Sequence, residues 1–174
     1  MSGEGKLTSQ NWTGHWHVFG PWIGSGDTHK QEGRRRPGQN SQDPQTRIFL
    51  EEKLPPVMTG HWLMRDRQVA ATCTTSEGAV AWLAERYAET PPVVREDGKA
   101  AYNTLESKVE YALDALPRGV DIVWGYWTHS RLLASYAVVC CPNLFHTLPC
   151  PFPPDATSLD SRRRRPLPST PAPA

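Results

Sequence analysis

GVDIVWGYWTHSRLLASYAVVCC, residues 119–141, is the longest apolar run in the chain, and it is interrupted once, at Thr128-His129-Ser130-Arg131. Ahead of the interruption Ile122, Trp124 and Tyr126 alternate with Asp121, Val123 and Gly125; behind it, β-branched, aromatic and small apolar residues run from Leu132 to Cys141. Period-two alternation, strand-forming residue types and a short polar break together predict a β-hairpin. A helix is disfavoured by Gly125 in mid-segment and by the crowding of Trp124, Tyr126 and Trp127. Strand parity puts Ile122, Trp124 and Tyr126 on one side and Asp121, Val123, Gly125 and Trp127 on the other. The solvation demand of Asp121 marks its side as the wetter one, so Trp127 is expected to face outward. On that parity Trp127→Ala costs about half a kcal/mol or less, and Trp124→Ala about 3–5 kcal/mol.

Two helices precede the hairpin. Thr74 and Glu77 have the spacing of a capping box, and Val80, Leu83, Ala84 and Tyr87 then fall on one helical face until Pro91-Pro92. A second helix starts at Asn103, buries Leu105, Val109, Ala112 and Leu116, and ends at Pro117-Arg118-Gly119. Further upstream, 57–65 and 68–74 read as a second hairpin about Asp66-Arg67, Arg47 to Leu50 as a short strand, and Asn11 to Phe19 as a strand closed by Gly20-Pro21. The expected fold is α+β: an antiparallel sheet built from hairpins, with two helices packed on one face in two layers.

Composition divides the rest. With 174 residues there is room for one domain with a sizeable core, while 17 prolines and a 38% hydrophobic share imply that part of the chain is unpacked. Residues 1–10 are expected to be a disordered N-terminus, 11–150 a single domain, and 151–174 a disordered Pro/Arg-rich tail. From Gly24 to Thr46 there is no aliphatic or aromatic side chain, so 24–46 is expected to be a flexible loop. A net charge of +1 argues against an electrostatic grip of the whole chain on nucleic acid or membrane. No signal-peptide pattern or spanning apolar run is present, which predicts a cytoplasmic protein with its four cysteines reduced.

Histidine and cysteine are the residues with chemistry to offer. His15 and His17, two apart on a strand, share a face, and His61 on a neighbouring strand would complete a three-imidazole metal site. The segment Cys140-Cys141-Pro142-Asn143-Leu144-Phe145-His146-Thr147-Leu148-Pro149-Cys150 offers Cys141, His146 and Cys150 as zinc ligands, with Cys140 or Cys73 as a fourth. Adjacent cysteines diverge along the backbone and the paired C-x-x-C spacing is missing, so no structural zinc and no cofactor are expected. Thr13-Gly14-His15-Trp16 recurs as Thr59-Gly60-His61-Trp62, which reads as two strands with a Gly at a close backbone approach and a Trp in the core.

No nucleophile elbow, phosphate loop or zincin helix occurs. Seven tryptophans exceed what the core of one small domain asks for, and Trp127 and Trp82 are the two that parity and helical phase leave outward. Arg34, Arg35 and Arg36, and Arg162, Arg163, Arg164 and Arg165, form the two basic clusters, the second leading into an R-x-x-P-x-x-P pattern. The expected function is a small non-catalytic accessory or regulatory binding protein, taking another protein on an aromatic sheet face. The alternatives are a small hydrolase or transferase with a His/Cys site assembled in space, and a zinc-supported nucleic-acid module using the Arg clusters.

Overall fold

The Thr128–Arg131 interruption is a turn. In the computed structural model, which describes residues 5–98 and 103–152, β3 (Ile122–Trp127) and β4 (Leu133–Cys141) form an antiparallel hairpin, closed by Thr128 N–H donating to the Leu132 carbonyl at 2.8 Å. β1 (His15–Gly24) pairs with the other edge of β4, and β2 (Val69–Cys73) with the other edge of β1, giving the antiparallel order β2-β1-β4-β3. The fold is thus α+β, with the 119–141 hairpin at one end of a four-stranded sheet. β1 passes through Gly20-Pro21, the register shifting between Phe19 and Trp22, so the strand does not stop there as the sequence suggests.

Two helices lie on one face of the sheet. α3 (Ser76–Glu89) is capped by Thr75, whose hydroxyl accepts from Gly78 N–H, and α4 (Leu105–Ala115) by Thr104, accepting from Ser107 N–H. Both caps fall one residue beyond the positions read from sequence, but the buried faces are those expected: Val80, Leu83 and Tyr87 from α3, and Ala112 and Leu116 from α4 and its end. They pack on Trp16 and Val18 of β1, Ile122, Trp124 and Tyr126 of β3, and Tyr136, Val138 and Cys140 of β4. The Tyr126 and Tyr136 hydroxyls donate to the Thr90 and Arg86 carbonyls, tying the sheet to the end of α3. Thr75→Ala removes one helix cap and is expected to lower stability by about 1 kcal/mol in a urea melt.

The opposite face is covered differently. Of the predicted second hairpin only Val69–Cys73 is a strand; Thr59–Met64 and Asp66–Gln68 are 3-10 turns. Trp62 and Leu63 from the first turn pack on Phe19, Ala137, Val139 and Cys141, with Trp62 stacked on Phe19 at 4.9 Å between ring centroids. Arg47 to Leu50 is helical as well, within α2 (Pro44–Glu51). The deciding signal is Asp43-Pro44, an N-cap whose carboxylate accepts from Gln45 N–H followed by proline at the first helical position. Between β1 and α2 the expected loop carries local structure, α1 (Gly26–His29) and a 3-10 turn at Glu32–Arg35. The buried Arg65 ties these elements together: its Nε and Nη1 donate to the carbonyls of Phe49 and Leu54, and its guanidinium lies over the Phe49 ring.

The two T-G-H-W words do not repeat a structure. The first enters β1 and puts Trp16 into the helix-side core, while the second forms the 3-10 turn and puts Trp62 into the opposite one. Their glycines do share a reason. A side chain at Gly14 would collide with the Cys141 carbonyl, and one at Gly60 with the His146 ring.

Candidate metal centre

Strand register builds the site. Trp16 and Val18 turn to the helices, so His15 and His17 turn to the other face of β1. His15 stands opposite Cys141 in the β1–β4 pairing, and His17 opposite Thr72 in the β1–β2 pairing. The same parity separates the adjacent cysteines: Cys140 belongs to the helix-side core and Cys141 to the opposite cluster. The fourth residue, Cys150, arrives from the chain after β4, which folds back across this face.

That return is directed by a polar staple. The Asp121 carboxylate accepts from Cys140 N–H at 2.8 Å and from Asn143 Nδ2 at 2.9 Å; the Asn143 side-chain oxygen accepts from the amides of Phe145 and His146. Asp121 is half-buried, and burial pushes its pKa up despite these donors. Its side of β3 is still the wetter one, as the parity predicts: Ile122, Trp124 and Tyr126 are buried, while Val123 and Trp127 are 51% and 49% exposed.

The result is a convergence of His15, His17, Cys141 and Cys150, whose ligand atoms all lie within 4.8 Å of one another. His15 Nε2 and His17 Nε2 are 3.1 Å apart, and each is 3.3 Å from Cys150 Sγ. Tetrahedral zinc, with bonds of about 2.0–2.1 Å to nitrogen and 2.3 Å to sulfur, requires edges of about 3.3 Å between nitrogens and about 3.6 Å from nitrogen to sulfur. The His17 Nδ1 lies 2.8 Å from the Thr72 hydroxyl, which orients the ring and leaves Nε2 for the centre. Burial lowers the pKa of His15, and burial together with His15 lowers that of His17 to about 4, so both imidazoles present lone pairs at neutral pH. Burial and the neighbouring Cys150 push the Cys141 thiol up, so in the empty cluster it holds its proton; a bound dication would reverse that preference.

The site draws on both metal sets read from sequence, His15 and His17 from one, Cys141 and Cys150 from the other. His61 and His146 pack against each other instead, their rings tilted and 4.5 Å apart between centroids. Cys73 and Cys140 lie in the helix-side core, where burial raises the Cys73 thiol to about 11 and the Cys140 thiol further. No sequence spacing joins residues 15 and 17 to 141 and 150; only the β1–β4 pairing does.

Elsewhere, the Trp127 ring rests on Gly26, and Trp82 is half-buried against Tyr136. Arg34 pairs with Glu52 at 2.8 Å, Arg35 donates to the Pro55 and His29 carbonyls, and Arg36 pairs with Glu32. Arg162, Arg163, Arg164 and Arg165 lie outside the described residues. Among those described, no helix is long and apolar enough to cross a membrane. No protein-family model, curated protein or solved structure matches the chain.

Proposed function

We propose that this protein is a small, non-catalytic binding module whose sheet is locked by a structural zinc ion on His15, His17, Cys141 and Cys150. The observation that carries the reading is the convergence of two Nε2 and two Sγ atoms within 4.8 Å, the three separations among His15, His17 and Cys150 lying close to a tetrahedron's edges. A tetrahedral N2S2 donor set favours zinc among the divalent metals. Four protein ligands also fill the coordination shell, where a catalytic zinc keeps one position for water or substrate. What the module binds is, on this reading, another protein, met at the β3 end of the sheet by Val123 and Trp127. All three of Arg34, Arg35 and Arg36 are already engaged within the chain, which weighs against nucleic acid there. Four free cysteines suit a reducing, cytoplasmic setting.

Elemental analysis of the full chain, purified without added metal, is expected to find one zinc per chain. Cobalt substitution should give the intense visible bands of a tetrahedral ion and a thiolate charge-transfer band. A metal content far below one, or an octahedral cobalt spectrum, would refute the site; a cobalt spectrum that shifts on adding small anions would favour the enzyme alternative. Thr72→Val, which removes only the hydroxyl beside His17 Nδ1, is expected to weaken zinc binding about 10–100-fold in chelator competition.

A further inference from the structure

The two cysteines of the site are not equivalent. Cys141 is 3% exposed, at the end of a central strand and beneath the cluster of Trp62 and Leu63. Cys150 is half-buried, sits in a segment without regular secondary structure, and lines a cavity of about 650 Å³ walled by Leu50, Leu63, Met64, Asp66 and Leu148. Cys150 therefore borders a cavity large enough for a small solute, while Cys141 is buried.

We infer that Cys150 is an oxidation site for hydroperoxides, with Cys141 as its resolving thiol, and that their reaction expels the zinc ion; this rests on the metal reading above. The thiolate, not the thiol, is the nucleophile, and zinc ligation holds both sulfurs as thiolates. The Cys150 sulfur attacks one oxygen of the peroxide. An S–O bond forms, the O–O bond breaks, and the departing oxygen leaves with the electron pair as hydroxide or alkoxide. The Cys141 thiolate then attacks the Cys150 sulfur, forming the S–S bond and breaking S–O, and the second oxygen leaves as hydroxide. Two sulfurs are oxidised by two electrons in all, the peroxide is reduced, and two protons from solvent complete water or alcohol. The two sulfurs start within 4.8 Å of each other, and bonding at about 2.05 Å requires a short movement. Cys150 can make it, because its segment is anchored at Asn143, seven residues upstream, and not by strand pairing. Two imidazoles alone cannot keep the ion. The oxidised protein loses its metal lock where the C-terminal segment crosses the sheet, so peroxide would loosen that crossing and a thiol reductant with zinc would restore it.

The test uses the full chain, prepared anaerobically, with hydrogen peroxide added stepwise. Zinc release is followed with a chromogenic chelator and disulfides by peptide mass mapping. One Cys141–Cys150 disulfide is expected for each zinc released, with both changes reversed by reductant and zinc. Cys73→Ser, in the helix-side core, is expected to leave both changes as they are, and the mapping on the unaltered chain identifies the cysteines that react. Zinc that stays bound in excess peroxide, or leaves with oxidation mapped to Cys73 or Cys140, overturns the redox inference and spares the metal site. A chain that holds no zinc overturns both.

Discussion

Chelating the zinc proposed for this protein is expected to lower Tm by roughly 8–16 °C while leaving a folded chain. A ligand present 1,000-fold above its Kd stabilises the folded state by about 4 kcal/mol, and for a chain of this size each kcal/mol moves Tm by about 2–4 °C. Folding persists because the helix-side core, from Trp16 through Leu83 to Tyr136 and Val138, borrows nothing from the metal. The loss falls on the other face, where Cys150 would be released from His15 and His17 and the segment after Asn143 would lose its far anchor. Far-ultraviolet circular dichroism should therefore change little, while proteolysis in 146–152 should accelerate. His17→Ala should reproduce the lower Tm and abolish the gain on adding zinc, since it removes a ligand and leaves Thr72 without its ring partner. A Tm indifferent to chelation, in a chain shown to contain zinc, would mean that the ion is not structural.

The parts of this fold that could be read from sequence are those whose periodicity is local. β3 and β4 announce themselves by alternation and a polar turn, and α3 and α4 by apolar residues three and four apart. α2 and the Thr59–Met64 turn do not, because three or four apolar residues in a row fit a strand or a helix equally. Phe49 and Trp62 are buried in such runs, and only Asp43-Pro44 points to the helical alternative. The His/Cys cluster was legible in halves. His15 and His17 are placed on one face by strand period, and Cys141 and Cys150 stand near each other in the chain. Joining the halves requires knowing that β1 pairs with β4 in the register His15 to Cys141, a long-range choice that no short motif encodes. Asp121 escaped for the opposite reason. A carboxylate before a strand suggests solvent, and its partners, Asn143 and Cys140 N–H, become visible only when the turn after β4 is in place.

The same parity that placed Trp127 outward sets the second large effect. Trp124→Ala is expected to cost about 3–5 kcal/mol, the range for emptying an aromatic core site. Trp124 is 3% exposed, meets the edge of Tyr87 at 5.9 Å between centroids, and carries the Lys108 ammonium 5.7 Å above its ring. Alanine there opens a cavity between β3 and the helices, and the rigid sheet on one side limits collapse. Against a total stability of about 5–15 kcal/mol, that loss removes a large share. Trp127, three residues on, keeps about half of its surface in water and rests on Gly26. Its removal forfeits the packing on Gly26, so Trp127→Ala should cost about 1 kcal/mol, somewhat more than a free surface position. Urea melts of both variants, with zinc held constant and m unchanged, measure the difference as separate shifts in midpoint. Equal and large shifts would mean that the Trp127 side of β3 is as fully packed as the helix side, and the proposal that it meets a partner would lose its footing.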